Sequence, residues 1–507
     1  MLTLPDGPWV AIACGTIVLF AIFWILSPHP PVTKKTLRHI PELRFDQDDT
    51  MERYLTDSRS LLYRGYEKYL RHGIAFQMRN PVGELGPQLL LPMKYLDELK
   101  NAPMSLFSFK AFSEKSFLLN YSNGPQQTDA AAHVVKTDLT RNLGTLAESI
   151  YCEVSAALDQ GLPDGNDWNT VTAYEFMTGV VARVTALVLV GPELCRNPEW
   201  LQLSTGTTYA VFGAAHAIRD NYSPRWRWLA RWQNDAPKQM LAMRKKAVKL
   251  LTPLYKERVD AQKRNSSYFN DSLQWLLRLK SAEKSIDRIA DQQLFLTIAS
   301  IHTTSATSTS ILFDMMAYPK YQAEILDDMK QAMNEKGDGP WTLQNVASMR
   351  KLDSFMKESQ RMRPLGFITG QRVAMKPHTF KDGLHIPAGV IFQFPADAVH
   401  HDPEIYPDPH TFDPYRFLRL RETVDPNRFH FASVSDSVLN FGAGSHACPG
   451  RFFSALIIKF MLVMLMTRYE IKFEGDDQKR PADMVHDFTM VPNGAAKIML
   501  KRKKCSV

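Results

Sequence analysis

The sequence predicts a mainly α-helical fold with small β-sheets, preceded by one N-terminal single-pass transmembrane helix. Three observations carry this. Most segments from Arg53 to Arg363 place apolar side chains at the spacing of amphipathic helices. Strand signals are few and cluster near Arg64 to Gln77 and between Gly370 and Phe394. Trp9 to Leu26 is an 18-residue run without a charged side chain, close to the roughly 20 residues needed to span a bilayer.

Taken in order, residues 1–27 form the anchor. Asp6 precedes the apolar run and Lys34, Lys35 and Arg38 follow it, which places the body on the cytoplasmic side and argues against a cleaved signal peptide. An uncleaved helix lying in the membrane interface is the alternative. Pro28, Pro30 and Pro31 end the helix and stiffen a linker over 28–45. Length alone suggests about three domains in 507 residues, but no low-complexity linker or 20–50-residue repeat divides the rest. Residues 46–500 therefore read as one catalytic body, and 501–507 as a basic, solvated tail.

The longest helical candidate runs from Asp287 to Tyr318. Its middle, Ala299-Ser-Ile-His-Thr-Thr-Ser305 and on to Ser310, is crowded with hydroxyls, which compete for backbone hydrogen bonds. Small residues at a tight helix crossing would explain this, and so would a proton-passing wall. Glu358 and Arg361 are i,i+3 on a helix ended by Pro364. Gln371 to Ala374 reads as a strand carrying Arg372. Pro377 to Phe380 and Leu384 to Pro387 read as a hairpin turning at Asp382-Gly383.

Five scattered cysteines lack zinc spacing and disulfide density, which suggests a reducing compartment. A net charge of +8 suits nucleic acid, anionic lipid or an acidic protein partner, and no nucleic-acid motif is present. One cysteine stands apart. In Phe441-Gly-Ala-Gly-Ser-His-Ala-Cys448-Pro-Gly450 it lies on a glycine-rich loop before a strongly apolar run. Gly442-x-Gly444-x-x-Ala447 also fits a dinucleotide fingerprint, but that reading puts Pro449 inside the helix and leaves too little chain for a doubly wound sheet. With the helix starting at or after Cys448, Pro449 sits in its first turn and Cys448 faces the positive helix end, which favours a thiolate. An inert buried cysteine is the bland alternative. Gly442 and Gly444 would supply positive-φ turns and Gly450 a close backbone approach.

This loop resembles the haem-thiolate signature of the cytochrome P-450 superfamily, matched at Phe441, Gly444, Cys448 and Gly450, with His446 where arginine is usual. Further landmarks follow in family order. Ala299 to Thr304 is similar to the oxygen-activation motif, with Ser300 for glycine and His302 for the acid. Glu358, Arg361 and the Arg416 of Phe412-Asp-Pro-Tyr-Arg416-Phe417 resemble the buried structural triad. The resemblance implies haem b as cofactor, Cys448 as axial iron ligand, Phe441 and Gly442 against the haem, and His446 and Arg372 as propionate contacts. Lys136, or His133 beside it, would be a further propionate contact, in place of the family's usual Trp-x-x-x-Arg. It implies proton delivery by Thr303, with His302 and Thr304 as catalytic neighbours.

The implied pocket walls are the aromatic loop Phe107 to Tyr121 (Phe117 above all), Ser300, Leu365 and Phe367, and Phe488. The implied reaction uses O2 and electrons from a separate NADPH–cytochrome reductase to oxidise a small lipophilic substrate. The wording of both motifs resembles fungal secondary-metabolism members acting on terpenoids, indole diterpenes and meroterpenoids. The expected location is the endoplasmic reticulum membrane, in contact with lipid. The interleaved Pro224-Arg-Trp-Arg-Trp228-Leu-Ala-Arg-Trp232 is either an interfacial loop or ordinary packing. A haem-thiolate isomerase or dehydratase, a non-catalytic haem protein, and oxidation of a polyketide, alkaloid or fatty acid are the alternatives. The first would usually lack Thr303.

Overall fold

The computed structural model describes residues 37–82, 85–162, 167–264, 269–280, 284–475 and 478–503. The expected anchor over 1–27, much of the linker and most of the basic tail lie outside them. The helices that build the site are α1 (Ser58–Lys68), α2 (Thr140–Gly161), α3 (Ala173–Val190), α4 (Pro198–Asn221), α5 (Asp235–Lys263), α6 (Ile286–Ala317), α7 (Arg350–Met362) and α8 (Arg451–Arg468). A helix apolar on every face is stable only where every face is covered. Among the described residues α3 is the one helix long and apolar enough to cross a membrane, yet 72% of it is buried by α2, α6 and their neighbours, so it is a core helix. α8 is also largely apolar; its one internal cation, Lys459, is buried against Asp353 at 2.6 Å.

The described strands form one mixed sheet in the order β1 (Glu42–Leu43), β2 (Phe76–Met78), β3 (Gln88–Leu90), β9 (Ile391–Phe394), β6 (Thr369–Ala374), β4 (Phe107–Ser108). β10 (Tyr469–Phe473), β13 (Lys497–Arg502) and β5 (Asn169–Thr172) make a second, antiparallel sheet. Two hairpins complete the set, β7 (His378–Thr379) with β8 (His385–Ile386), as expected, and β11 (Met484–His486) with β12 (Thr489–Val491).

Two apolar cores result, one among the helices and one beneath the six-stranded sheet. The cysteine loop lies where they meet: Phe441 packs on the helical core and Ala443 on the sheet core. Sites at such junctions can draw side chains from both bodies.

Two local expectations are corrected. Arg64 to Gln77 is strand only at its end, because Ser58, Leu61, Leu62, Gly65 and Tyr66 bury one face of α1 at helical spacing. Phe107 to Tyr121 is not a loop: it begins in β4 and continues as helices Phe109–Ser116 and Leu119–Ser122, the first capped by the Ser108 side chain.

The tip of the β11–β12 hairpin carries an unexpected strain. His486 pairs with Thr489, leaving Asp487 and Phe488 as a two-residue turn, with Asp487 at φ 52 where glycine is usual. Its N–H donates to Leu55 at 2.5 Å and its carbonyl accepts from Ser58, but Oδ1 is buried without a partner. Burial pushes the carboxyl up to about 6. The folded chain therefore holds a proton that the unfolded chain releases, so stability falls as pH rises from about 4 to about 6 and stays reduced above that. Asp487→Asn is expected to stabilise the protein at pH 7, by about 2–3 kcal/mol at most, and to leave it unchanged at pH 4. Melting temperatures of both forms across that range check this; equal curves at pH 7 refute it.

Candidate active site

The glycines of the cysteine loop act through backbone geometry. Gly442 and Gly444 sit at φ 72 and 60, where side chains are strained. The Gly442 N–H closes on the Leu439 carbonyl at 2.9 Å, and the Cys448 N–H returns to the Phe441 carbonyl at 2.7 Å. A Cβ on Gly444 would stand 2.3 Å from the Lys100 carbonyl oxygen, so a glycine here lets the loop pass close to residues 100–102. At Gly450 a Cβ would meet only Val135, at an ordinary 3.9 Å. α8 starts at Arg451, so Pro449 precedes the helix and does not occupy its first turn.

A strap from residues 100–102 holds the loop. Ser445 N–H donates to the Lys100 carbonyl at 3.1 Å and to Asn101 Oδ1 at 2.9 Å. His446 Nε2 meets the Ala102 carbonyl at 2.6 Å, which ties this ring to the strap. Lys136 Nζ donates to the Ser445 carbonyl at 3.3 Å, from a π-helical turn over Val135–Leu139. That turn breaks the i,i+4 spacing of Ala132 and Lys136. His133 is exposed.

Cys448 is reachable by solvent, yet protein surrounds it on most sides. Burial pushes its thiol up, while the Gly450 and Arg451 N–H groups and the Arg451 charge draw it down. The second cationic feature is Arg372 on β6. It is half-buried, donates only to the neighbouring Gln371 carbonyl at 2.7 Å, and has no carboxylate at ion-pair distance among the described residues. Burial draws it down to about 10. A largely desolvated guanidinium without a carboxylate partner among the described residues, together with a sulfur served by two amides, fits a thiolate-ligated iron porphyrin bearing carboxylates. Cys448 would hold the iron, Arg372 a carboxylate, and Phe441, Gly442 and Ala443 one face.

α6 lies across from the loop. Its hydroxyls stay helical by bonding back: Ser300 to the Leu296 carbonyl at 2.6 Å, Thr303 to Ala299 at 2.9 Å, Ser305 to Ile301 at 2.8 Å. Thr303 is exposed, whereas Thr304 is buried and donates to Ser454 Oγ of α8 at 3.2 Å. Thr304 thus docks α6 beside the first turn after the cysteine loop. His302 Nδ1 meets the Tyr174 hydroxyl at 3.0 Å and its Nε2 the Thr205 carbonyl at 2.9 Å, which ties α6 to α3 and α4.

Of the expected pocket walls, Ser300 and Leu365 are partly exposed and Phe117 packs edge-on against Phe212 at 4.9 Å. Phe367 and Phe488 are buried in the sheet core, joined by Phe367 N–H to the Phe488 carbonyl at 2.8 Å, so they support the wall from behind. α4 adds two aromatics the sequence did not single out. Tyr209, 63% exposed, stands edge-on to His302 at 4.9 Å, and Phe212 is 46% exposed. No local motif marks them; their position over α6 does.

Behind the loop, Arg361 donates to both Glu358 oxygens at 2.8 Å, and Arg416 Nε reaches Oε1 at 3.2 Å. Arg361 also donates to the His400 carbonyl at 2.6 Å. Burial holds the His400 ring neutral, with its acid constant down at about 3, and Nε2 accepts the Leu439 N–H at 3.1 Å, three residues before Gly442. The triad is therefore two links from the cysteine loop.

Comparison with known proteins agrees with this geometry. The cytochrome P450 family model matches residues 104–499. The cytochrome P450 monooxygenase ccsG of Aspergillus clavatus is 63% identical over 485 residues, covering 96% of this chain and 97% of that protein. The cytochrome P450 monooxygenase CYP3 of Pyricularia oryzae is 50% identical, covering 90% and 95%, and the pyrichalasin C-7 hydroxylase of Pyricularia grisea is 48% identical, covering 92% and 93%. A sulfur presented between two amides, a half-buried arginine without a carboxylate partner among the described residues, and a hydroxyl-lined helix thus occur in a chain that belongs to the cytochrome P450 family, of the fungal secondary-metabolism type, and is a haem-thiolate monooxygenase.

Proposed function

We propose that the protein is an anchored monooxygenase of the endoplasmic reticulum membrane that hydroxylates a bulky lipophilic secondary metabolite, with electrons from an NADPH–cytochrome reductase. The observation that carries it is Thr303, the accessible hydroxyl on α6, placed by the Thr304–Ser454 contact beside the loop that presents Cys448. When bound, the haem supplies O2 activation. The chain's residues then divide the work: Cys448 supplies the sulfur, Arg372 neutralises a carboxylate, and Thr303 Oγ1 hands protons inward while Tyr209, Phe212 and Phe117 exclude water and grip an apolar substrate.

The apolar 9–26 run supports the anchor, and the exposed Trp226, Trp228 and Trp232 support a membrane-facing surface. The net charge of +8 favours an acidic reductase face. One relative is named for hydroxylation at C-7 of pyrichalasin. This makes a pyrichalasin-like molecule the first substrate to test, ahead of the terpenoid, indole-diterpene and meroterpenoid classes. The test is product analysis after co-expression with a reductase: a product one oxygen heavier is expected, and an isomerised or dehydrated product formed without NADPH refutes it.

Thr303→Ala is expected to cut product per NADPH roughly a hundredfold, the low end of general acid–base contributions, with peroxide released in its place. Unchanged coupling would sink the proton-delivery role.

A further inference from the structure

Lys357 precedes Glu358 on α7 and takes no part in the triad. Its Nζ is fully buried and donates to the His430 carbonyl at 2.7 Å and the Ser433 carbonyl at 3.0 Å. Among the described residues no carboxylate stands at ion-pair distance from it. Asp353, one turn earlier on the same helix, is committed to Lys459 at 2.6 Å, Arg421 at 3.5 Å and the Phe431 N–H at 2.8 Å. α7 thus grips the 430–433 turn at three points: the His430 carbonyl, the Phe431 N–H and the Ser433 carbonyl.

The turn in its place touches both ends of the cysteine loop. The Phe431 ring stands edge-on to Phe441 at 5.6 Å, and the Phe441 carbonyl accepts the Cys448 N–H. The Ala432 carbonyl accepts from Arg451 Nε at 3.1 Å, while Arg451 Nη1 donates to the Cys448 carbonyl at 2.8 Å.

We propose that Lys357 is a positioning residue for the thiolate: by clamping the 430–433 turn it sets Phe441 and Arg451, and through them the electronic character of Cys448. Groups beyond the direct ligand orient it and tune the metal it holds. Burial draws the lysine down to about 7, so near neutral pH part of the population is uncharged. A neutral amine still has two N–H donors for two carbonyls, so the clamp outlasts loss of the proton. Methionine, of similar length, removes both donors and leaves two buried carbonyls unmet.

The test uses the full-length haem-loaded protein with Lys357→Met, Arg451→Met, the double variant, and Phe431→Leu. Arg258→Met, which breaks a buried pair to Asp271 at 2.6 Å between α5 and the Asp271 helix cap, is the stability control. Readouts are the thiolate-type fraction of the ferrous–CO spectrum, haem retention, reduction potential and melting temperature. Lys357→Met and Arg451→Met are each expected to lower haem retention about tenfold, the lower end of losses from such outer contacts, and to reduce the thiolate fraction. Loss of the Arg451 charge lowers the potential. The double variant should match the larger single effect, because both act along one chain of contacts. Arg258→Met should lower the melting temperature and leave the spectrum alone.

A wild-type spectrum in Lys357→Met, additive effects in the double variant, or the same spectral change in Arg258→Met each overturns the proposal. If Lys357→Met yields no folded protein, Phe431→Leu and Arg451→Met decide: a shifted spectrum and lowered retention in both supports it, and wild-type values in either overturn it.

Discussion

Cys448→Ser is expected to abolish monooxygenase turnover and the thiolate-type ferrous–CO absorption while leaving the fold intact. The reason is local. The loop's shape comes from Gly442, Gly444, the 100–102 strap and the Cys448 N–H bond to Phe441, none of which uses the sulfur. A serine hydroxyl fits that backbone and keeps the amide donors of Gly450 and Arg451, but its oxygen stays protonated where a thiol ionises toward a metal. Circular dichroism should therefore be unchanged while activity falls below detection. A thiolate-type spectrum surviving in Cys448→Ser would remove Cys448 from the site.

Glu358→Gln is expected to produce the largest loss of stability. Glu358 is fully buried and is the counter-charge for two guanidiniums, at 2.8 and 3.2 Å, as well as the acceptor for the Asp413 N–H. Removing one partner of a buried ionic group leaves the others desolvated and unpaired, at a cost of about 3–5 kcal/mol. Set against a total of roughly 5–15 kcal/mol, that removes a large share of the stability. The damage should also reach the cysteine loop, because Arg361 holds the His400 carbonyl and His400 holds Leu439. Thermal denaturation and soluble yield measure it. By contrast Lys263→Ala, which removes an exposed pair with Asp260, should change the melting temperature hardly at all. A Glu358→Gln melting temperature near that of Lys263→Ala would refute the account.

Much of this molecule was readable in the linear chain, and the reason is that its decisive features are local. The helical class follows from periodicity, the Ile286–Ala317 helix from one uninterrupted pattern, and the β7–β8 hairpin from Asp382-Gly383. The positive-φ turns of the cysteine loop follow from glycine, the residue that tolerates them. A cysteine on such a loop declares its chemistry within ten residues, whereas the Glu358–Arg361 pair read alone is a common surface pair. The strand misread within α1 shows the weak point: aromatic residues favour strands, and only burial of one helical face decided otherwise.

What stayed hidden depends on partners far away in sequence. His302 and Thr304 stand beside Thr303, yet a helix turns each neighbour by about 100°, so the three face different elements. One remains exposed, one packs on α8, and one is spent between Tyr174 and Thr205. His446 is diverted to Ala102, more than 300 residues upstream. Tyr209, Phe212, Phe431 and Lys357 have no motif; they matter because of where α4, α7 and the 430–433 turn are packed. Residue type and spacing specify which chemistry the chain carries, since ligation and turn formation are short-range. Which hydroxyl is open, which cation lacks a counter-charge and what orients the sulfur are matters of burial, and burial exists only once the chain has folded upon itself.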